Sequence, residues 1–159
     1  MVNREPLHEI RPLEREPSVS LEARPYGPES TADEIAALRE QVIMITDDIV
    51  YWREAPITTV FQIQVFGQKL DELMAQVDHA YLLADLSHTN RPKPEVLQAI
   101  REAIGRQTVI RHMAVYTEKN ALLNIAAKFA LSRVGFKSVS ISKTKAEALL
   151  EIARVRQDT

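Results

Sequence analysis

From Ile49 to the end, the chain alternates between segments that repeat every two residues and segments that repeat every three to four. Strands with helical connections between them pair in parallel through right-handed crossovers, so this alternation restricts the fold to a small set of α/β sheets. Tyr81 to Leu86 is a continuous apolar run fit for a buried strand, and His112 to Tyr116 is another. Val139 and Ile141 mark a short last strand. Between them, Pro94 to Gly105 places Val96, Leu97, Ile100, Ala103 and Ile104 on one helical face. Ala121 to Val134 forms a strongly apolar helix that Gly135 terminates, with a leftover face available for a homodimer.

Upstream, Ile35 to Glu40 is a short helix behind the cap residues of Ser30 to Glu34. Val42 to Thr46 and Ile49 to Trp52 are β-branched and aromatic runs separated by Asp47-Asp48, which predicts a hairpin. Pro56 suits a helix start, and Thr59 with Gln62 is a capping box ahead of Ile63, Phe66, Leu70, Leu73 and Val77 at helical spacing. Phe61, Ile63 and Val65 also alternate like a strand, and Gly67 weakens a helix there by about 1 kcal/mol. Thr144 with Glu147 is a capping box for the final helix, which buries Ala148, Leu149, Ile152 and Val155. The expected architecture is α/β, a mixed sheet of about five strands with an N-terminal hairpin and parallel βα units.

Five of the eight prolines lie in the first 28 residues, and the first 34 residues carry eight acids against four arginines. Few apolar side chains accompany them, so residues 1–34 are expected to be a mobile or extended acidic arm, and residues 35–159 a single domain. If the arm packs on a neighbouring subunit instead, Leu7, Ile10, Leu13 and Leu21 are its contacts.

Composition removes several classes of chemistry. With no cysteine, disulfides, thiolate metal sites and cysteine nucleophiles are excluded. The four histidines are scattered without ligand spacing, so no metal is expected. The four glycines do not cluster, which removes Walker and dinucleotide loops and leaves no expected cofactor. A net charge of −2 argues against nucleic acid. Neither an apolar leader nor a run of membrane-spanning length is present, so a cytoplasmic location is expected.

Open α/β sheets bind ligands and partners at the carboxyl ends of their strands. The segments after Leu86, Tyr116 and Ile141 are polar: Ser87-His88-Thr89-Asn90-Arg91-Pro92, Thr117-Glu118-Lys119-Asn120 and Ser142-Lys143-Thr144. The candidate partner-binding or phospho-switch residues are therefore Asp85, Ser87, His88, Thr89, Asn90, Thr117, Lys119 and Asn120. A Ser87-His88-Asp85 hydrolase is not expected, since neighbours in sequence do not make a triad and no Gly-x-Ser-x-Gly elbow occurs.

The order of elements, the strand end Leu83-Ala84-Asp85-Leu86-Ser87 and the helix start Thr144-Lys145-Ala146-Glu147-Ala148 resemble the STAS domain of bacterial anti-sigma factor antagonists, over Gln41 to Val155. In that family an Asp-Ser pair carrying the phosphorylated serine follows; here the stretch reads His88-Thr89-Asn90-Arg91-Pro92-Lys93-Pro94 and lacks it. The resemblance implies a non-catalytic regulatory module of bacterial signalling that docks a protein partner, kinase or anti-sigma-like, or a small ligand, near the loop after Leu86. A second resemblance, to response-regulator receivers, makes Asp85 a phosphoacceptor with Asp47, Asp48, Thr117 and Lys143 around it. A strand immediately after Asp48 departs from the receiver order.

Overall fold

A computed structural model describes residues 17–90, 92–118 and 138–158. Its elements are α1 (Ala32–Arg39), β1 (Val42–Met44), β2 (Ile49–Arg53), α2 (Val60–Met74), β3 (Ala80–Asp85), α3 (Pro94–Gly105), β4 (Ile110–Tyr116), β5 (Val139–Ser142) and the final helix α4 (Lys145–Gln157). The expected helix from Ala121 to Val134 lies outside the described residues. The chain is an α/β protein with one mixed sheet of five strands in the order β1-β2-β3-β4-β5, antiparallel between β1 and β2 and parallel elsewhere.

Caps settle the helix boundaries. Thr59 accepts from the Gln62 N–H while the Gln62 side chain accepts from the Thr59 N–H, so α2 starts after Thr59 and not at Pro56. That reciprocal cap decides the ambiguous stretch Phe61 to Val65 in favour of helix. Thr31 and Glu34 form the same box at α1. At α4, Thr144 accepts from the Glu147 N–H, but the Glu147 carboxylate reaches the Lys143 N–H, so only half of the expected box forms.

Sequential parallel strands with right-handed crossovers put their connecting helices on one face. Accordingly α2 and α3 lie side by side against one face, with α1 joining them through α2. The core there includes Val50, Trp52, Leu82, Val115, Phe66, Leu70 and Ile104. Trp52 and Phe66 meet edge to face at 5.2 Å. Because α4 follows the last strand, it is not a crossover, and it covers the opposite face through Ala148, Leu149 and Ile152 on Tyr81, Leu83 and Ala114. Gly67 earns its place in α2, since a Cβ there would stand 3.0 Å from the Ala103 Cβ of α3.

Residues 17–31 have no helix or strand and lie against the domain. Tyr26 is buried, its hydroxyl accepts from the Glu22 N–H at 3.1 Å, and its carbonyl accepts from the Thr59 hydroxyl at 2.6 Å. The Val19 carbonyl accepts from Gln41 Nε2 at 2.7 Å and Arg53 Nη2 at 2.8 Å. Arg24 stacks on the Tyr26 ring and pairs with Glu34, holding the Glu34 carboxyl down at about 2. The described part of the arm is thus tied to the domain by these bonds. Too few apolar side chains were present to suggest packing, but main-chain carbonyls take most of the tethers.

Candidate functional site

The carboxyl ends of β2, β3 and β4 meet at one edge of the sheet, and the loops there are stitched together by main-chain bonds. The Glu54 N–H donates to the Asp85 carbonyl at 3.2 Å, Leu86 N–H to Tyr116 carbonyl at 3.0 Å, and Asn90 N–H to Pro56 carbonyl at 3.1 Å. The loop after β3 is thus anchored on both neighbours.

Strand alternation sends the side chains at this edge to two faces. On the α4 face, Asp85 is 7% exposed. Its Oδ2 accepts from the Tyr51 hydroxyl at 2.9 Å and its Oδ1 from the Ser87 N–H at 2.9 Å. The Tyr51 and Tyr116 hydroxyls lie 2.8 Å apart. Since the Tyr51 proton is given to Asp85, Tyr116 is the donor to Tyr51. Burial, reinforced by the Asp85 charge, pushes both phenols far above their ordinary value, so both stay protonated donors. Lys145 Nζ stands 5.3 Å from the centroid of the Tyr51 ring. Asp85 therefore shapes the loop by fixing the turn at Ser87.

On the opposite face, Glu54 follows β2 and is 4% exposed. Trp52 Nε1 donates to it at 3.3 Å. Burial raises its carboxyl to about 7, aided by the Asp85 charge. Thr89 is itself buried, with its hydroxyl 3.4 Å from that of Thr58 and 3.2 Å from the Asn90 carbonyl.

The expected site residues thus separate. Asp85, Thr89 and Thr117 are buried, whereas His88 and Asn90 are exposed. Ser87 is half-buried, and its Oγ is buried without a hydrogen-bond partner among the described residues. Lys119 and Asn120 lie outside the described residues. Tyr51, Tyr116, Glu54 and Thr58 were missed. Because β2 is parallel to β3, its carboxyl end belongs to the same edge, and the residues after Trp52 deserved the same scrutiny as those after Leu86.

The receiver-like grouping is not assembled. Asp47 and Asp48 sit in the hairpin turn, where the Asp48 carbonyl accepts from Tyr81 N–H at the start of β3, while Asp85 is at its end. The length of β3, about 16 Å at strand rise, separates them. The Asp48 carboxylate instead accepts from Arg156 Nη2 at 2.7 Å and from the Thr46 hydroxyl at 3.1 Å. Lys143 is exposed, with its N–H bound to Glu147.

Two other features lie apart from this edge. His112, on the α4 face of β4, places its ring nitrogens 2.5 Å from Ser138 Oγ and 2.8 Å from Ser140 Oγ, and burial lowers its pKa. An open groove between α2 and α3 is walled by Gln64, Gln68, Glu95 and Glu102. Among the described residues, no three His, Asp or Glu side chains are grouped to hold a metal ion, and no helix is long and apolar enough to cross a membrane. No protein-family model matches the chain, nor does any curated protein or solved structure compared with it.

Proposed function

We propose that this chain is a STAS-like regulatory module of a bacterial signalling system, working by association without catalysis, and that a regulatory protein partner docks on the loop after β3. The observation that carries this reading is the construction of that loop. Buried Asp85 gives its two oxygens to Tyr51 and to the Ser87 N–H, while Asn90 ties back to Pro56. The result is a preorganised loop displaying His88 and Asn90 to solvent. A surface fixed before binding loses little conformational freedom on docking, which suits recognition. Asp85, with both oxygens engaged and little exposure, is poorly placed to attack a phosphoryl donor.

The test is affinity capture from the native cell with tagged wild type, Ser87→Asp, Asp85→Asn and the double variant His88→Ala/Asn90→Ala, followed by titration of the purified partner. A saturable partner that both Ser87→Asp and the double variant lose, and that Asp85→Asn keeps, is expected. A partner that binds the double variant as tightly as wild type overturns docking at this loop. A phosphate adduct that depends on Asp85, seen in the intact mass, overturns the non-catalytic module in favour of a phosphoacceptor.

A further inference from the structure

Between β2 and α2 runs a connector, Glu54 to Thr59, with neither helix nor strand. A stretch without its own ladder takes its position from whatever pairs its polar groups. Two neighbours do so here. The arm holds the connector at both ends: just before it the Val19 carbonyl accepts from Arg53 Nη2 at 2.8 Å, and at its far end the Thr59 hydroxyl donates to the Tyr26 carbonyl at 2.6 Å. The loop after β3 holds its middle. There the Pro56 carbonyl accepts from the Asn90 N–H at 3.1 Å, and the Thr58 and Thr89 hydroxyls lie 3.4 Å apart. Arm and loop thus share one support.

The arm is the more easily detached of the two. Most of its side chains are exposed, and its buried or half-buried apolar ones are Pro17, Leu21 and Tyr26. The Arg24–Glu34 pair that accompanies them lies at the surface. A segment with few buried apolar contacts and few main-chain bonds opens at a fraction of the free energy of global unfolding. When it lifts, Thr59 keeps its cap on α2 but loses the Tyr26 carbonyl, and Arg53 keeps Gln41 but loses the Val19 carbonyl. Both ends of the connector are then loosened, and the acceptor of the Asn90 N–H lies between them.

We propose that the arm, residues 17–31, is a strap that sets the loop after β3 through the Glu54–Thr59 connector: seated, it holds Pro56 and Thr58 where Asn90 and Thr89 bond them; lifted, it loosens the loop. This rests on the docking reading above only for its consequence, that the partner binds the seated form more tightly and, by linkage, seats the arm when it docks. The coupling itself belongs to the free protein.

The experiment follows amide hydrogen exchange of the free full-length chain by NMR, in increasing urea below the unfolding transition. The Asn90 amide of the loop and the Glu22 and Ser30 amides of the arm are expected to open as one unit, with one dependence on urea, before Leu83 in the middle of the sheet. Two conservative variants then loosen one end each. Tyr26→Phe, which removes the acceptor of the Glu22 N–H, should speed exchange at Asn90 about fivefold. Thr89→Val, which removes the hydroxyl facing Thr58, should speed exchange at Ser30 by a similar factor. Arm and loop amides that open independently, an Asn90 amide that opens only together with Leu83, or a Tyr26→Phe that speeds Ser30 and leaves Asn90 unchanged overturns the strap. If the amides open as one unit but the captured partner binds Tyr26→Phe as tightly as wild type, the link to docking is overturned and the strap stands.

Discussion

Burial makes Glu54 hold its proton more tightly in the folded chain, at about 7, than the ordinary 4.5 of an unfolded one. Between those values the native state carries a proton that the unfolded state has lost, so stability falls as pH rises from 4.5 to about 7 and is level above. The whole effect is about 3 kcal/mol. Glu54→Gln is therefore expected to leave stability near pH 5 almost unchanged and to raise it by up to about 3 kcal/mol near pH 8, measured by urea unfolding at both. His112 works in the opposite sense: its lowered pKa means that stability is lost as pH falls through 6.5, and that limb should persist in the variant. The hydroxyl chain at Asp85 has its own asymmetry. Tyr51→Phe strips a donor from Asp85 and leaves the Tyr116 hydroxyl without its acceptor, whereas Tyr116→Phe removes only the end of the chain. Expected losses are about 2–3 kcal/mol for the first and about 1 kcal/mol for the second, and equal losses in denaturant titrations would refute the order of donors.

Among the elements, Thr59 has the widest role, because its hydroxyl accepts from Gln62 at the start of α2 and donates to Tyr26 in the arm. Thr144 has only the cap among the described residues. Thr144→Ala should cost about 1 kcal/mol and Thr59→Ala about 2 kcal/mol, the difference being the arm tether. Such caps were legible in sequence, since Thr-x-x-Gln and Thr-x-x-Glu are local patterns that need no tertiary information, and the α2 and α4 starts follow from them. The hairpin, the parallel strands and α3 were legible for the same reason, their periods being written in neighbouring residues. The site was legible only in part. Asp85, His88 and Asn90 follow an apolar strand and could be found, but Tyr51 and Tyr116 reach Asp85 only through the register that sets Tyr51 opposite Leu83 and Tyr116 opposite Asp85. Glu54 is an acid directly after a strand, with no motif around it. It is 4% exposed, and nothing in its neighbouring residues announces that.

At the scale of the molecule, two tethers close the structure over long stretches of chain. Arg156 of α4 reaches Asp48 in the hairpin turn, with both side chains partly buried. Residues 17–31 bind the other side, where Tyr26 fills a place in the core beside α2 and Val19 caps Gln41 and Arg53. The arm's composition favours disorder, since Pro, Glu, Arg and Ser bury little apolar surface. One deeply buried aromatic with two carbonyl tethers offsets that tendency, so the arm's attachment depends on Tyr26 to an unusual degree. Tyr26→Ala is expected to cost about 3 kcal/mol, in the range for emptying a large aromatic site. It should also open the Glu22–Ala23 bond, held in the native state by the Tyr26 hydroxyl on the Glu22 N–H and by Arg24 on the Glu22 carboxylate, to a glutamate-specific protease. Tyr26→Phe, which keeps the ring and loses only the bond from the Glu22 N–H, should cost about 1 kcal/mol and be cleaved there more slowly than Tyr26→Ala. If instead both variants are cleaved at Glu22 at the wild-type rate and melt as wild type does, the buried Tyr26 ring contributes nothing to the fold.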